Sequence, residues 1–236
     1  MSREFHPADE RGVYHHGWLH SYHSFSFGSY YDPERMGFGL LRALNDDRVA
    51  PSMGFETHPH NNMEIISIPL KGRLQHEDSM GNRHVIQAGE IQVMSAGTGV
   101  AHSEYNDSDS DEVNFLQIWV IPKQHNIEPR YGQKAFDENG RKNRFQLVVS
   151  PDERDGSIWI NQDAYFSLAD MDDNQTLFYK KHRPENGVFI FLLDGNVQID
   201  LDELNPRDAL AIPEDDNIEI RAHANSKLLC IEVPMA

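Results

Sequence analysis

Short apolar runs that end at glycine or proline recur along the whole chain, and this pattern constrains the fold more than any other feature. Residues 65–68 lead into a turn at Gly72, and residues 114–121 form a long apolar run that stops at Pro122. Runs of about four to eight such residues between turn signals are typical of β-strands. Because no stretch shows a convincing helical period, the sequence predicts an all-β fold.

Two parts of the chain resemble each other, which indicates two copies of one structural unit. In residues 69–75, and again in residues 192–198, an apolar strand meets a turn glycine and a second strand begins. Residues 122–144 are polar, which is typical of a connector between modules. We therefore expect two β-barrel domains, residues 1–135 and residues 136–236.

The charge balance narrows the classes of binding partner. The chain carries 21 Lys and Arg against 38 Asp and Glu, a net charge of -17. Such a surface repels phosphates, so we expect no direct binding to nucleic acid and no attachment to an anionic membrane. The N-terminal residues lack the apolar stretch of a signal peptide. The single cysteine, Cys230, leaves no intrachain disulfide, which fits a reducing compartment, so we expect a cytoplasmic protein.

Two pairs of polar residues at a spacing of two carry the sharpest chemical signal. His58 and His60 form the first pair, and His102 and Glu104 form the second. Side chains two apart on a strand point to the same face, so each pair can direct both members toward one point. If the two strands face each other inside a barrel, all four side chains meet. We therefore expect these four residues to bind one divalent transition metal ion.

The ligand types favour a catalytic site over a structural one. Imidazole suits iron, copper, nickel, zinc and manganese alike, so the residues by themselves do not fix the metal. No cysteine takes part, which excludes a thiolate zinc site. Four protein ligands leave two positions open on a six-coordinate ion, where a bidentate oxygen ligand, or substrate and dioxygen, fit.

The residues around these pairs resemble a known superfamily. Residues 58–72 resemble the first conserved motif of the cupins, and residues 89–106 resemble the second. Within the cupins, the chain is much more similar to the pirin-like proteins over most of residues 11–132. The segments that carry this resemblance are residues 16–19, 25–27, 30–33, 36–38, 45–47, 58–60, 78–82, 94–99 and 102–106. The resemblance implies a bicupin, two jelly-roll β-barrels, and we expect a metal in the first barrel only.

Two glutamates compete for the fourth ligand position. In ordinary cupins the glutamate of the first motif is a ligand, and here that residue is Glu64. In pirin-like proteins the glutamate two residues after the last histidine takes this role, which implies Glu104. Strand alternation also favours Glu104, since it shares a face with His102. Glu64 is an even number of residues from His60, so spacing alone leaves it as a pocket residue or a ligand.

The resemblance implies an enzyme similar to quercetin 2,3-dioxygenases. In such an enzyme a flavonol binds the metal through its 3-hydroxyl and 4-carbonyl oxygens, and Glu104 or Glu64 accepts the hydroxyl proton. Dioxygen then opens the ring with loss of carbon monoxide. We expect a small aromatic, flavonol-like substrate. We expect iron as the metal, with zinc, copper, nickel, cobalt and manganese as alternatives.

Two other functions stay open at the level of the sequence. Pirin-like proteins are also described as metal-containing regulators that act on a protein partner without catalysis. The net charge of -17 suits a partner with basic patches. A non-redox isomerase with zinc or manganese is the third hypothesis. The identity of the metal and the uptake of oxygen distinguish these functions.

An aromatic segment near the N-terminus supplies candidate pocket residues. Trp18, Phe25 and Phe27 are candidate apolar walls for an aromatic substrate. The same segment is rich in histidine, but no spacing within it supports a second metal site strongly. Packing across the barrel remains the simpler interpretation for each aromatic residue.

Overall fold

The computed structural model describes residues 3–215 and 217–235. The strands before the predicted domain boundary are β1 (Glu4–His6), β2 (Gly12–His16), β3 (Leu19–His23), β4 (Leu41–Val49), β5 (Gly54–His60), β6 (Glu64–Lys71), β7 (Arg73–Asp78), β8 (Arg83–Gln87), β9 (Glu90–Ser95), β10 (Val100–Asn106), β11 (Val113–Val120) and β12 (Arg130–Ala135). The strands after it are β13 (Gln146–Ser150), β14 (Ile158–Trp159), β15 (Tyr165–Met171), β16 (Thr176–Lys180), β17 (Asn186–Asp194), β18 (Val197–Ile199), β19 (Asp202–Leu204), β20 (Ala209–Ile212), β21 (Asn217–Ala222) and β22 (Ser226–Pro234).

Helix is confined to single turns in the described part of the chain. The short 3-10 helices are Ala8–Glu10, Glu138–Gly140 and Arg154–Gly156. None of the helices in the described ranges has the length and apolar character needed to cross a bilayer. The predicted all-β class is therefore confirmed.

Each domain consists of two sheets whose inner faces share apolar clusters. In the N-terminal domain, a seven-stranded sheet has the order β12-β9-β6-β11-β4-β3-β2 and a four-stranded sheet has the order β5-β10-β7-β8. In the C-terminal domain, the orders are β1-β20-β17-β22-β15-β13-β14 and β16-β21-β18-β19. Two facing sheets of mainly antiparallel strands are the architecture of a jelly-roll barrel, which confirms the predicted pair of β-barrel domains.

Two segments differ from the domain organisation predicted from the sequence. Strand β1 comes first in the chain but pairs with β20 of the C-terminal sheet, with Glu4 opposite Ala211. The polar segment predicted as a connector contains strand β12, which pairs with β9 at the edge of the N-terminal sheet. An edge strand has a neighbour on one side only, and the residues of β12 are exposed or half-buried, which explains their polar character.

The two seven-stranded sheets pack against each other and form the largest apolar cluster in the described residues. Ile66 and Leu116 of the N-terminal sheet share this cluster with Phe189 and Leu229 of the C-terminal sheet, and all four side chains are fully buried. Burial of a side chain of this size contributes roughly 1.5–3 kcal/mol to stability. A continuous core, rather than a flexible linker, therefore holds the domains together.

The interiors of the two barrels differ in polarity. The C-terminal barrel holds one apolar cluster that includes Ile190 and Cys230, and Cys230 is fully buried as predicted. In the N-terminal barrel, apolar residues form two smaller clusters, one with Phe115 and one with Met94. Buried polar side chains occupy other parts of this interior. The N-terminal barrel is therefore the one whose interior is built for polar chemistry.

Candidate metal centre

Three histidines converge inside the N-terminal barrel. Strand β5 carries His58 and His60, and the neighbouring strand β10 places His102 directly opposite His58. The ring centroids of His58 and His102 are 4.5 Å apart, and the His60 ring lies 4.9 Å from each of them. One nitrogen from each ring lies within 4.8 Å of the others. This separation allows one ion to bind all three imidazoles.

The surroundings of His102 fit those of a metal ligand. Its side chain is buried, and neither ring nitrogen forms a hydrogen bond with the described residues. Buried polar groups rarely lack a partner, because the cost of removing them from water is then not recovered. A divalent ion beside His58 and His60 would engage one of these nitrogens, so the residues present fit a metal.

Glu104 brings a buried carboxylate to the same place. It follows His102 on strand β10 after a bulge in the pairing with β5. Its Oε2 accepts a hydrogen bond from Gln117 Nε2 at 2.6 Å, and its Oε1 accepts one from Ser67 Oγ at 3.1 Å. Glu104 also forms a second group of possible ligands with His102 and His76, within 4.8 Å of one another. The structure thus brings together all four residues that the sequence predicts as ligands.

His76 is a buried residue of this site that the sequence analysis does not identify. Its ring centroid lies 5.3 Å from that of His102. We assign a proton to Nε2, which then donates to Asp78 Oδ2 at 3.0 Å, while Nδ1 accepts from Gln92 Nε2 at 3.2 Å. Because both nitrogens have partners, His76 supports His102 by packing. The sequence contains one signal that could have identified His76: Asp78 follows it at a spacing of two, as in the ligand pairs.

Burial keeps the imidazoles of His60 and His102 neutral, which is the form that binds metal. Burial lowers the pKa of His60 to about 4 and that of His102 to about 3, and the neighbouring imidazoles act in the same direction. Burial also raises the pKa of Glu104, while nearby histidines oppose that change. His58 donates from Nδ1 to the carbonyl oxygen of Glu56 at 2.7 Å, which leaves its Nε2 for an ion.

Glu64 lies on the outer face of the seven-stranded sheet, whereas the histidines lie inside the barrel, toward the inner face of that sheet. It begins strand β6, and Ser67, which contacts Glu104, is three residues later and points the other way. Its Oε2 accepts hydrogen bonds from Ser95 Oγ at 2.7 Å and from the backbone N–H of Asn161 at 3.1 Å. The prediction of Glu64 as a ligand or proton acceptor is therefore corrected, because this residue belongs to the contact between the domains.

A cavity of about 250 Å³ adjoins the candidate ligands. The residues that line it are Phe27, Asn45, Asp47, Phe55, His58, His60, Glu104, Gln117 and Trp119. A second cavity, of about 540 Å³, shares Phe55 and His58 with the first. Together the two spaces lead from the ligands toward the protein surface. Sequence reasoning missed Asn45, Asp47 and Gln117, because they come from strands that only the fold brings to the site.

The three aromatic residues predicted as pocket walls take different places. Phe27 lies in the wall of the smaller cavity. Trp18 lines the larger cavity, where its ring lies 5.3 Å from Phe55. Phe25 is fully buried and packs on Phe189 in the core between the domains. The prediction therefore holds for two of these residues, and Phe25 instead stabilises the domain contact.

Comparison with known proteins places the chain in a family. A sequence profile of the family named Pirin matches residues 5–120. Over 228 residues, which are 96% of each protein, the chain is 45% identical to quercetin 2,3-dioxygenase from Escherichia coli strain K12. The chain belongs to the pirin family. A second profile, named Quercetinase C-terminal cupin domain, matches residues 147–233, so this pirin has a cupin domain in each half.

Solved pirin structures share the whole fold. YhhW from Escherichia coli aligns with a TM-score of 0.95 at 42% identity, over 100% of this chain and 99% of that one. A structure of bacterial pirin YhhW in complex with nickel(II), also from Escherichia coli, aligns with a TM-score of 0.94 at 41% identity over 100% of both chains. The bicupin architecture of this pirin is thereby confirmed.

The histidines of the C-terminal cupin domain of this pirin have other partners. The His182 ring stacks on Tyr165 at 4.3 Å, and its backbone N–H donates to Glu232 Oε2 at 2.9 Å. His223 Nε2 lies 3.2 Å from Gln198 Oε1. Among the residues of this domain that the structure describes, no three metal-binding side chains converge. The candidate metal centre therefore lies in the N-terminal domain.

Proposed function

We propose that this chain is a metal-dependent dioxygenase that opens a flavonol, or a similar enolic aromatic compound, with dioxygen. The observation that carries the proposal is the group of three imidazoles and Glu104 beside a cavity with aromatic walls. The name of the relative from Escherichia coli, quercetin 2,3-dioxygenase, supports the same chemistry. In the overall reaction one dioxygen is consumed, one carbon monoxide leaves, and a ring-opened ester remains.

One divalent ion would be held by His58, His60, His102 and Glu104. When bound, it would supply a positive charge that stabilises an ionised oxygen of the substrate. Neutral imidazoles with one carboxylate suit iron, nickel, cobalt, manganese, copper and zinc. We propose iron first and nickel as its main competitor, because the related YhhW was solved in complex with nickel(II).

The walls of the cavity favour a flat aromatic substrate. The Trp119 ring meets His60 edge-on, with centroids 5.1 Å apart, and meets Phe27 in the same way at 4.9 Å. Aromatic rings attract one another at such distances, so these walls can hold a flat ring beside the ligands. Phe55 lines both cavities and extends the apolar wall outward. A flavonol can therefore place its fused rings near the ligands and its third ring in the larger space.

One polar wall residue is suited to orient the substrate. Asn45 is buried, it lines the smaller cavity, and its Oδ1 accepts no hydrogen bond from the described residues. An unpartnered amide oxygen is costly unless a ligand satisfies it. A phenolic hydroxyl of the substrate would donate to this oxygen and fix the orientation of the ring.

A purely regulatory role explains less of this site. A regulator that docks on a protein partner through its surface needs neither a substrate-sized cavity nor aromatic walls beside metal ligands. An isomerase would use the same ion without dioxygen. The uptake of oxygen therefore separates the proposed function from both alternatives.

Oxygen consumption with quercetin tests the proposal. Apoprotein is reloaded with one metal at a time, beginning with iron and nickel, and occupancy is checked by elemental analysis. We expect uptake that depends on the metal, releases one carbon monoxide per dioxygen, and disappears in His60→Ala. The control His223→Ala removes an exposed histidine of the other domain and should keep full uptake. Stoichiometric metal with no uptake for any ion would reject a dioxygenase that acts on flavonols.

A further inference from the structure

A second buried carboxylate, that of Asp47, lies in the wall of the substrate cavity. Asp47 is in strand β4 and is only 4% exposed. It lines the same cavity of about 250 Å³ as His60 and Glu104. Asn45, two residues earlier on the strand, lines this cavity as well, which agrees with strand alternation. The carboxylate of Asp47 therefore faces the space that the proposed substrate would occupy.

A chain of hydrogen bonds holds one oxygen of this carboxylate. Ser21 lies opposite Asp47 in the pairing of β3 with β4, and its hydroxyl donates to Asp47 Oδ1. His23 Nε2 lies 2.7 Å from the same hydroxyl oxygen. The Ser21 hydroxyl uses its one proton in the hydrogen bond to Asp47. In the contact between Ser21 and His23, the donated proton is therefore that of His23 Nε2. The order of donation is then His23 to Ser21 to Asp47, which orients the carboxylate.

The two carboxylates of the cavity differ in what their oxygens contact. Both oxygens of Glu104 accept hydrogen bonds, from Gln117 and Ser67, and the proposed metal would take a further lone pair. Oδ2 of Asp47 accepts no hydrogen bond from the residues that the structure describes. Asp47 is therefore the carboxylate of this cavity with an oxygen free to take up a proton.

We infer that Asp47 accepts the hydroxyl proton of the substrate, an inference that rests on the proposed function. The O–H bond of the enolic hydroxyl breaks, its electron pair stays on the substrate oxygen, and a new O–H bond forms at Asp47 Oδ2. Oδ1 keeps its hydrogen bond from Ser21, so no side chain has to rotate. After ring opening, the proton passes to the new carboxylate of the product. Asp47 thus replaces Glu104 and Glu64, the acceptors that the family resemblance implies.

The electrostatics of the cavity suit this role. Burial raises the pKa of Asp47 to about 7, the hydrogen bond from Ser21 opposes this change, and the nearby carboxylates of Asp46 and Glu104 add to it. A general base works best when its pKa lies near the working pH, because it is then ionised and still holds a proton well. Asp47 meets both conditions at neutral pH.

Binding of 3-hydroxyflavone without oxygen tests the inference. This probe has a single ionisable hydroxyl, and its ionised form absorbs at longer wavelength. Metal-loaded protein at pH 8 is mixed with the probe, and two quantities are recorded: the absorption spectrum and the number of protons released into a weakly buffered indicator solution. We expect the wild type to show the ionised spectrum with no proton released, because Asp47 keeps the proton.

Asp47→Asn is the decisive variant. We expect it either to show the neutral spectrum or to release one proton per bound probe, and to lose about a hundredfold in kcat/KM. The matched control Glu64→Gln neutralises a buried carboxyl outside the cavity and should behave as the wild type. If Asp47→Asn fails to fold, Ser21→Ala keeps the carboxylate but removes its orienting hydrogen bond. We then expect slower ionisation of the bound probe in stopped-flow mixing.

The outcomes separate this inference from the proposed function. An Asp47→Asn protein with the wild-type spectrum and no released proton would refute the role of Asp47 and leave the dioxygenase intact. A wild-type ionisation rate in Ser21→Ala would also count against it. If metal-loaded wild type does not bind the probe at all, the flavonol dioxygenase itself is rejected, and the role of Asp47 with it.

Discussion

His58 and His102 lie directly opposite each other in the pairing of β5 with β10, and their ring centroids are 4.5 Å apart. The same two strands carry His60 and Glu104. One strand pairing therefore assembles all four candidate ligands from two distant parts of the sequence. Because the site depends on a register between strands, its geometry is as rigid as the barrel that holds it.

Removal of a candidate metal ligand should abolish the stabilisation of the folded protein by metal. In the wild type, a metal at a hundred times its Kd should add about 2.7 kcal/mol to the free energy of unfolding. His102→Ala should remove this increment, because the buried imidazole at the centre of the site is gone. Thermal unfolding with and without metal measures the difference. A metal-dependent rise of the Tm that persists in His102→Ala would contradict the assignment.

The contact between Gln117 and Glu104 should support metal affinity. Gln117 Nε2 donates to Glu104 Oε2 at 2.6 Å, which fixes the carboxylate. Gln117→Met should lower metal affinity by about ten- to a hundredfold, since loss of an orienting partner of a ligand has effects of this size. Competition with a chelator measures the Kd. Gln198→Met, in the other domain, serves as the control and should leave the Kd unchanged.

Trp119 should contribute to substrate binding more than to metal binding. Its ring contacts both His60 and Phe27 in the cavity wall. Trp119→Leu should raise the KM for quercetin by roughly tenfold, because an aromatic contact and its buried area are lost. Steady-state oxygen uptake measures this change. Trp159→Leu, whose ring lies under Arg130 at 4.0 Å, should keep the wild-type KM. Equal effects of the two changes would argue against a substrate role for Trp119.

Glu64 should make stability depend on pH. Burial raises the pKa of Glu64 from its ordinary 4.5 to about 7, although hydrogen bonds from Ser95 and Asn161 oppose this change. The folded state therefore holds a proton that the unfolded state has released between pH 4.5 and 7. Over this range the contribution of Glu64 to stability falls as pH rises, by up to about 3 kcal/mol, and above pH 7 it is constant.

Glu64→Gln isolates this effect, since glutamine resembles the protonated acid. Compared with the wild type, the free energy of unfolding of the variant should gain steadily from pH 4.5 to 7 and then stay level. Urea unfolding at several pH values measures the difference. The exposed pair of Glu77 and Arg83 offers a control, and Glu77→Gln should show no such trend. A difference that does not change with pH would mean that Glu64 is ionised throughout this range.

The sequence alone was sufficient to predict contacts that depend on the alternation of side chains along a strand. Alternation along a strand predicts that His58 and His60 share a face and that His102 is close to Glu104. Turn glycines at 72 and 195 mark the equivalent hairpins of the two barrels, and both have positive φ, 79° and 91°. The sequence determined these features because alternation and left-handed turns are properties of a few neighbouring residues.

Only the tertiary structure decided which faces meet. Glu64 is an even number of residues from His60, but a turn through Asn62, with φ of 48°, separates the two strands and places the glutamate on the outer face of its sheet. Asp47 and Gln117 reach the cavity because β4 and β11 are neighbours in a sheet. Strand order and register arise from packing between residues far apart in the chain, and a local period carries no information about them.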